Sequence, residues 1–218
     1  MHRFLGRSSP SGRPSEYRTS ECSFAVVLTS FSALQLLQVF DSWAGTLSPS
    51  DFRTFSLPYL RQISAGVRDA LSCKSRSCVP LIVFARGALG HSLPEVAKAG
   101  YDVVGLDWTV EPSMARKIVE MSATGGAFKS GSGANEAGHR IALQGNLDPS
   151  ILYAGKEAIR AQVDKMLRAR KGGFGGSGAH IVNLGHGITP GVDPEDMRYF
   201  LECVHEIGRD VCIAKDEE

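Results

Sequence analysis

The sequence predicts an α/β chain in which a parallel sheet carries helices on its outside. One observation is an alternation, repeated about five times, of a short apolar strand and a longer segment of helical period. A second is that the strands end in a polar residue, and a third is that several of the helices start with recognisable caps. The stretch Ala179 to Pro190, AHIVNLGHGITP, shows the unit most plainly. Ile181, Val182 and Leu184 form an apolar run that ends in Gly185-His186-Gly187, and a helix with start signals follows from Asp193. A strand that delivers one polar side chain between glycines, ahead of a helix, is how parallel α/β enzymes present a working group at their strand ends. His186 is therefore the first candidate functional residue.

The first unit is LQLLQVFDS, with Asp41 and Ser42 at the strand end. Ser48-Pro49 gives an N-cap with proline at the first helical position, and Asp51 lies in the first turn. A further helix is expected from Pro58, where Leu60, Ile63, Val67 and Ala70 fall on one face. The second strand, Val79 to Phe84, is a continuous apolar run of the kind buried on both faces of a parallel sheet. Ser92 to Glu95 has capping-box spacing, and Gly100 stops the helix it predicts. The third strand, Asp102 to Trp108, alternates so that Val103, Gly105 and Asp107 share one face and Val104, Leu106 and Trp108 the other.

Residues 122–139 are rich in Gly, Ser and Ala without apolar periodicity and read as a flexible insertion. The fourth strand, Arg140 to Gln144, runs into Gly145-Asn146 and Asp148-Pro149, and a helix from about Lys156 to Arg170 follows. A glycine loop, GGFGGSG, precedes the fifth strand. A strand follows it where a nucleotide fingerprint requires a helix, so it does not read as a phosphate cradle. The last helix starts at Asp193-Pro194, packs Met197, Phe200, Leu201 and Val204, and is expected to end near Gly208.

Composition narrows the function. With 218 residues, the chain has room for a sizeable core, and its 43% apolar and 22% charged content is that of an ordinary globular protein. A net charge of +1 gives no footprint for nucleic acid or an anionic membrane. The five cysteines, an odd number at irregular spacing, make no disulfide framework. Cys73 and Cys78 lack a second Cys or His pair, so neither a zinc site nor any other metal is expected. Residues 1–33 form a leader, with Arg3, Arg7, Arg13 and Arg18 in an Arg/Ser-rich start that fits a transit peptide, a disordered leader or a misassigned start. The apolar run Ser23 to Phe40 contains Ser30, Ser32, Gln35 and Gln38 and reads as a buried element, not a membrane span.

In a parallel arrangement, Ser42, Asp107, Asn146 and His186 converge on the face at the strands' C-terminal ends. Asp107 fits a metal ligand, a general acid or a cap of a neighbouring helix. Asn146 and Asp148 organise the turn before Pro149. Arg86, at the end of the second strand, suits either a substrate carboxylate or a solvated loop. His91, His139 and His180 have no ligand-like partners at regular spacing and read as structural or exposed.

Four segments in order, FDSWAGTLSP, YDVVGLDWT, LQGNLDP and NLGHGITP, are similar to the C-terminal half of uroporphyrinogen decarboxylase. The resemblance covers Leu34 to Ile207, interrupted by the insertion, and makes residues 34–218 one barrel-derived unit. It implies a partial (β/α)8 TIM barrel of about five βα units, from a family that is usually homodimeric. It also implies a carboxy-lyase that converts uroporphyrinogen to coproporphyrinogen without a cofactor, in cytosol or plastid. By the match of motifs, Ser42 and His186 are the substrate-contacting residues, with His186 also the catalytic candidate. The family's arginine motif, the aspartate that holds the pyrrole N–H groups and its tyrosine belong to the half that these motifs do not cover. A zinc-dependent, cobalamin-linked methyltransferase of the same superfamily is disfavoured, because Phe84-Ala85-Arg86-Gly87 stands where its His-x-Cys belongs. A non-catalytic fragment that binds porphyrinogen or a partner chain through unpaired barrel edges is the other reading.

Overall fold

Five short runs of mostly apolar residues become strands because each is followed by a polar turn and a helix that covers one of its faces. The computed structural model describes residues 36–72, 79–123, 141–168, 173–174 and 179–216. The strands are β1 (Leu37–Asp41), β2 (Leu81–Ala85), β3 (Val103–Gly105), β4 (Ala142–Leu147) and β5 (His180–Leu184). They pair in chain order, and every pairing is parallel. The second strand is buried along its whole length, as a run without alternation requires.

The register separates two faces. Val39, Val83, Val104 and Leu143 line up on the face that meets the helices, and the last three are fully buried in the main core. Gln38, Ile82 and Val103 line up on the opposite, concave face, where Gly105 pairs with Gln144. Across that face the Gln144 amide approaches the Gln38 side chain at 3.4 Å, although their strands are not neighbours. The sheet therefore curls as a barrel wall does, but β1 and β5 do not meet, and the fold is a partial barrel.

The helices follow with some departures from the expected boundaries. The first, α1, is one run from Pro49 to Ser72 in which a π turn (Phe52–Ser56) joins an opening turn to Leu57–Ser72. Ser48 caps it as expected, accepting from the Asp51 N–H at 3.2 Å. No separate helix begins at Pro58: the wide turn just ahead accommodates a residue that cannot donate to the preceding turn. The second, α2 (Leu89–Val96), starts earlier than the capping-box spacing at Ser92 predicts. Leu89, Leu93 and Val96 are all buried at helical spacing, and packing them recruits the extra turn, leaving Ser92 inside the helix and bonded to His91 Nδ1.

The pattern reading also passes over α3 (Pro112–Ala123), which includes Ser122 and so overlaps the start of the expected insertion. The rest of that insertion and His139 lie outside the described residues. From α3, Arg116 donates to the carbonyls of Ile141 and Ala179, both at 2.9 Å, and so ties the starts of β4 and β5 together. Next, α4 (Lys156–Leu167) packs Ile159 and Val163 inward. The last helix, α5 (Pro194–Asp216), runs past Gly208. An interior glycine costs about 1 kcal/mol against alanine. Ile207 is buried and Val211 packs on the core either side of it, which outweighs that cost. A bidentate Arg160–Glu206 pair joins α4 to α5 at the surface, where such pairs contribute about 0–1 kcal/mol.

Candidate functional site

The strand ends form a continuous rim, stitched by backbone contacts that glycine makes possible. The turn Ala44–Thr46 after β1 packs on the turn after β2, with the Gly45 N–H donating to the Arg86 carbonyl at 2.8 Å. A side chain on Gly45 would come within 2.7 Å of the Gly87 Cα, and Gly87 itself has φ of 76°, so the crossing requires glycine on both sides. At the other end of the rim, a side chain on Gly185 would meet the Trp108 N–H at 2.4 Å. That close approach carries His186 against Trp108.

Asp107 is 1% exposed and spends both oxygens on the rim. Oδ2 accepts from the Gly87 N–H at 2.7 Å, and Oδ1 accepts from the Thr109 N–H at 2.9 Å and from its hydroxyl. Both partners lie in turns ahead of the helices that start at Leu89 and Pro112, so Asp107 ties the turns after β2 and β3 together and does not cap a helix as the sequence allowed. Asn146, also buried, donates to the Asp107 carbonyl at 2.8 Å and to the Val110 carbonyl at 2.7 Å. It therefore holds the β3 turn in addition to starting the turn at Asp148, whose carboxylate accepts from the Ser150 N–H. The Gly145–Asn146 peptide bond is cis.

Ser42 and His186 are both exposed on this rim, at the ends of the two edge strands. The His186 ring lies 5.9 Å from the Trp108 ring, tilted by 51°. The Arg86 guanidinium lies over the same indole at 5.7 Å from its centroid. Sequence alternation puts Trp108 with the helix-facing residues, but β3 ends at Gly105 and Trp108 turns out onto the rim. The loop beyond His186 is anchored by Tyr153, whose hydroxyl meets the Thr189 hydroxyl at 2.7 Å and donates to the Pro190 carbonyl at 3.2 Å. Nothing local in the sequence marks that tie.

His91 and His180 are structural, and His205 is exposed on α5. His180 donates from Nε2 to the Gly145 carbonyl at 2.8 Å and stacks on Phe174 at 3.7 Å. Burial, opposed by that hydrogen bond and helped by the Arg116 charge, pushes its pKa down from 6.5 to about 4. Phe174 is buried in the core, and beside it a side chain on Gly173 would meet the Met166 carbonyl at 2.2 Å.

Among the described residues no cluster of three or more His, Cys, Asp or Glu side chains is placed to hold a metal ion. Nor is any helix among them long and apolar enough to cross a membrane. A cleft of about 280 Å³ opens between the β3 turn, the end of β4 and α4, bordered by Trp108, Asn146 and Lys165. Small-molecule sites usually occupy about 300–1,000 Å³, and neither Ser42 nor His186 lines this cleft.

Comparisons with known proteins place this architecture. The family model described as uroporphyrinogen decarboxylase (URO-D) matches residues 20–207. Uroporphyrinogen decarboxylase of Schizosaccharomyces pombe is 45% identical over 178 residues, covering 82% of this chain and 44% of its own length. That of Danio rerio is 43% identical over 176 residues, covering 80% and 41%, and that of Salinibacter ruber 40% over 208 residues, covering 95% and 51%. This chain thus spans about half the length of the curated relatives it matches. Among solved structures, a methyltransferase from Methanosarcina mazei superposes with a TM-score of 0.60 at 15% identity, covering 87% of this chain and 47% of that one. That likeness concerns the fold alone, whereas the sequence match is specific: the chain belongs to the uroporphyrinogen decarboxylase family.

Proposed function

We propose that this chain carries the C-terminal half of a uroporphyrinogen decarboxylase site, and that it is impaired in turnover when alone. The substrate is uroporphyrinogen, and the reaction replaces each ring acetate by a methyl group, releasing carbon dioxide and taking up one proton. His186 is the catalytic residue of this half, Ser42 and His186 contact the substrate, and no cofactor takes part. The observation that carries the reading is the convergence of the motif-bearing strand ends on one rim, with His186 exposed against Trp108.

Magnitudes say why the half alone is weak. Enzymes lower the barriers of very slow reactions by up to about 23 kcal/mol, whereas one placed acid or base contributes roughly 10² to 10⁴ in rate. Loss of the acetate carboxylate needs a protonated ring, a group to stabilise the resulting cation and clamps for the other carboxylates. Ser42 and His186 supply part of this. The reading carries the family's working compartments with it, cytosol or plastid.

A second reading, a non-catalytic chain that binds porphyrinogen or a partner, is favoured by the open sheet: Phe40 is 66% exposed on β1 and Ile181 is 40% exposed on β5. Anaerobic incubation of the purified chain with uroporphyrinogen, followed by chromatography of the products, separates the two. Slow formation of coproporphyrinogen that His186→Ala abolishes is the expected result. A soluble, folded chain with no turnover favours the second reading, and turnover unaffected by His186→Ala removes His186 from the chemistry.

A further inference from the structure

Several other arginines among the described residues have anionic partners: Arg53 pairs with Glu95, Arg68 with Asp102, Arg160 with Glu206 and Arg198 with Glu195. Arg86 is different. It is half-buried at the end of β2, yet among the described residues its guanidinium makes no ion pair and no hydrogen bond, and its contact is the face of Trp108. The nearby Asp107 does not serve as its counter-charge, because both carboxylate oxygens are taken by the Gly87 N–H and by Thr109. The backbone of Arg86 is fixed on both sides, its N–H donating to the Asp41 carbonyl at 3.1 Å and its carbonyl accepting from Gly45 at 2.8 Å.

A guanidinium that loses part of its hydration and gains only a ring face is incompletely compensated. Its planar fork of N–H donors fits a carboxylate bidentately, and an aromatic face holds the plane without using those donors. The indole that holds it is the one that His186 packs against, so donor and candidate catalytic group share a support.

We propose that Arg86 binds a carboxylate of the substrate on the rim and that Trp108 is a positioning residue for both Arg86 and His186. This rests on the porphyrinogen reading above and adds to it a charged anchor in this half of the site. Arg86 recognises a peripheral carboxylate that is retained while another is lost, and so sets how the macrocycle lies relative to His186.

The test is a titration of the full chain with coproporphyrin, a tetracarboxylate, followed by porphyrin fluorescence anisotropy, together with thermal melts of each variant. Arg86→Gln is expected to weaken binding by about tenfold, as for the loss of one charge-assisted contact. Its melting temperature is expected to stay close to that of the unaltered chain, since among the described residues the guanidinium makes no hydrogen bond or ion pair. Arg86→Lys should recover part of the affinity through charge alone, and Trp108→Leu should weaken binding and shift the His186 ring proton resonances. Wild-type binding that Arg86→Gln leaves unchanged overturns the inference and leaves the proposed function standing. Failure of the unaltered chain to bind coproporphyrin at all removes both.

Discussion

The middle of the sheet and its two edges obey different rules. In β2 every residue is buried, and in β4 Leu143 is fully enclosed between neighbouring strands and the helix layer. In β1 and β5 the helix-facing residues are mostly only partly buried and the concave face is open, leaving Phe40 and Ile181 in solvent. The centre therefore holds itself together, whereas among the described residues each edge presents an unpaired backbone ladder and apolar side chains. Ser42 and His186 sit at the ends of those incomplete edges. The two motif-matched residues thus stand on the less self-sufficient edges, whereas Arg86 and Trp108 follow the central strands β2 and β3.

The sharpest way to break this contrast is to cut one side chain from each region. Leu143→Ala in the centre should cost about 2–5 kcal/mol, while Ile181→Ala at the edge should stay within about 1 kcal/mol, both read from urea unfolding. Equal losses would mean that the edge is buried by something in solution. A smaller effect comes from His180, at the start of β5. Its folded pKa lies below its unfolded one, so the unfolded chain takes up the proton first, and stability falls as pH drops from 6.5 towards 4. The loss should reach about 2–3 kcal/mol near pH 4 relative to a His180→Gln chain, whose stability should lack this component. Parallel pH profiles for the two chains would show that His180 is not held neutral.

The smallest effect on stability, and the most telling about the edges, belongs to the pair Phe40→Ser and Ile181→Ser. Together they should change the unfolding free energy by no more than about 1 kcal/mol. They should nevertheless move the sedimentation profile of an associating chain toward monomer. An unaltered chain that already sediments as a monomer at working concentration would contradict association through these edges.

How much of this was legible in the sequence follows the same division. Strands such as Leu81–Ala85 announce themselves because a run of buried apolar residues has few alternatives. The Ser48-Pro49 start was legible because the cap is a local hydrogen bond. Local signals misled where tertiary burial outweighed them: Ser92 resembles a cap but lies inside a helix whose buried leucines begin earlier, and Gly208 resembles a stop but is carried through by Ile207 and Val211. On the rim, the strand-end placement of Ser42 and His186 was legible from the apolar runs that precede them. The Arg86–Trp108–His186 cluster was not, because three separate strand ends meet there only after the sheet has curled. Arg116 and Phe174 escaped for the same reason, each acting on a strand far from it in the chain.

Both tryptophans of the chain, Trp43 and Trp108, lie on the strand-end rim, one 74% and the other 37% exposed. A porphyrin docked on that rim absorbs where they emit, so tryptophan fluorescence under titration with coproporphyrin reports directly on whether the rim is the binding face. Saturable quenching that weakens in His186→Ala is the result predicted for a porphyrinogen-binding rim. Emission that stays unquenched while the porphyrin is shown by equilibrium dialysis to bind would place the ligand elsewhere and contradict the account.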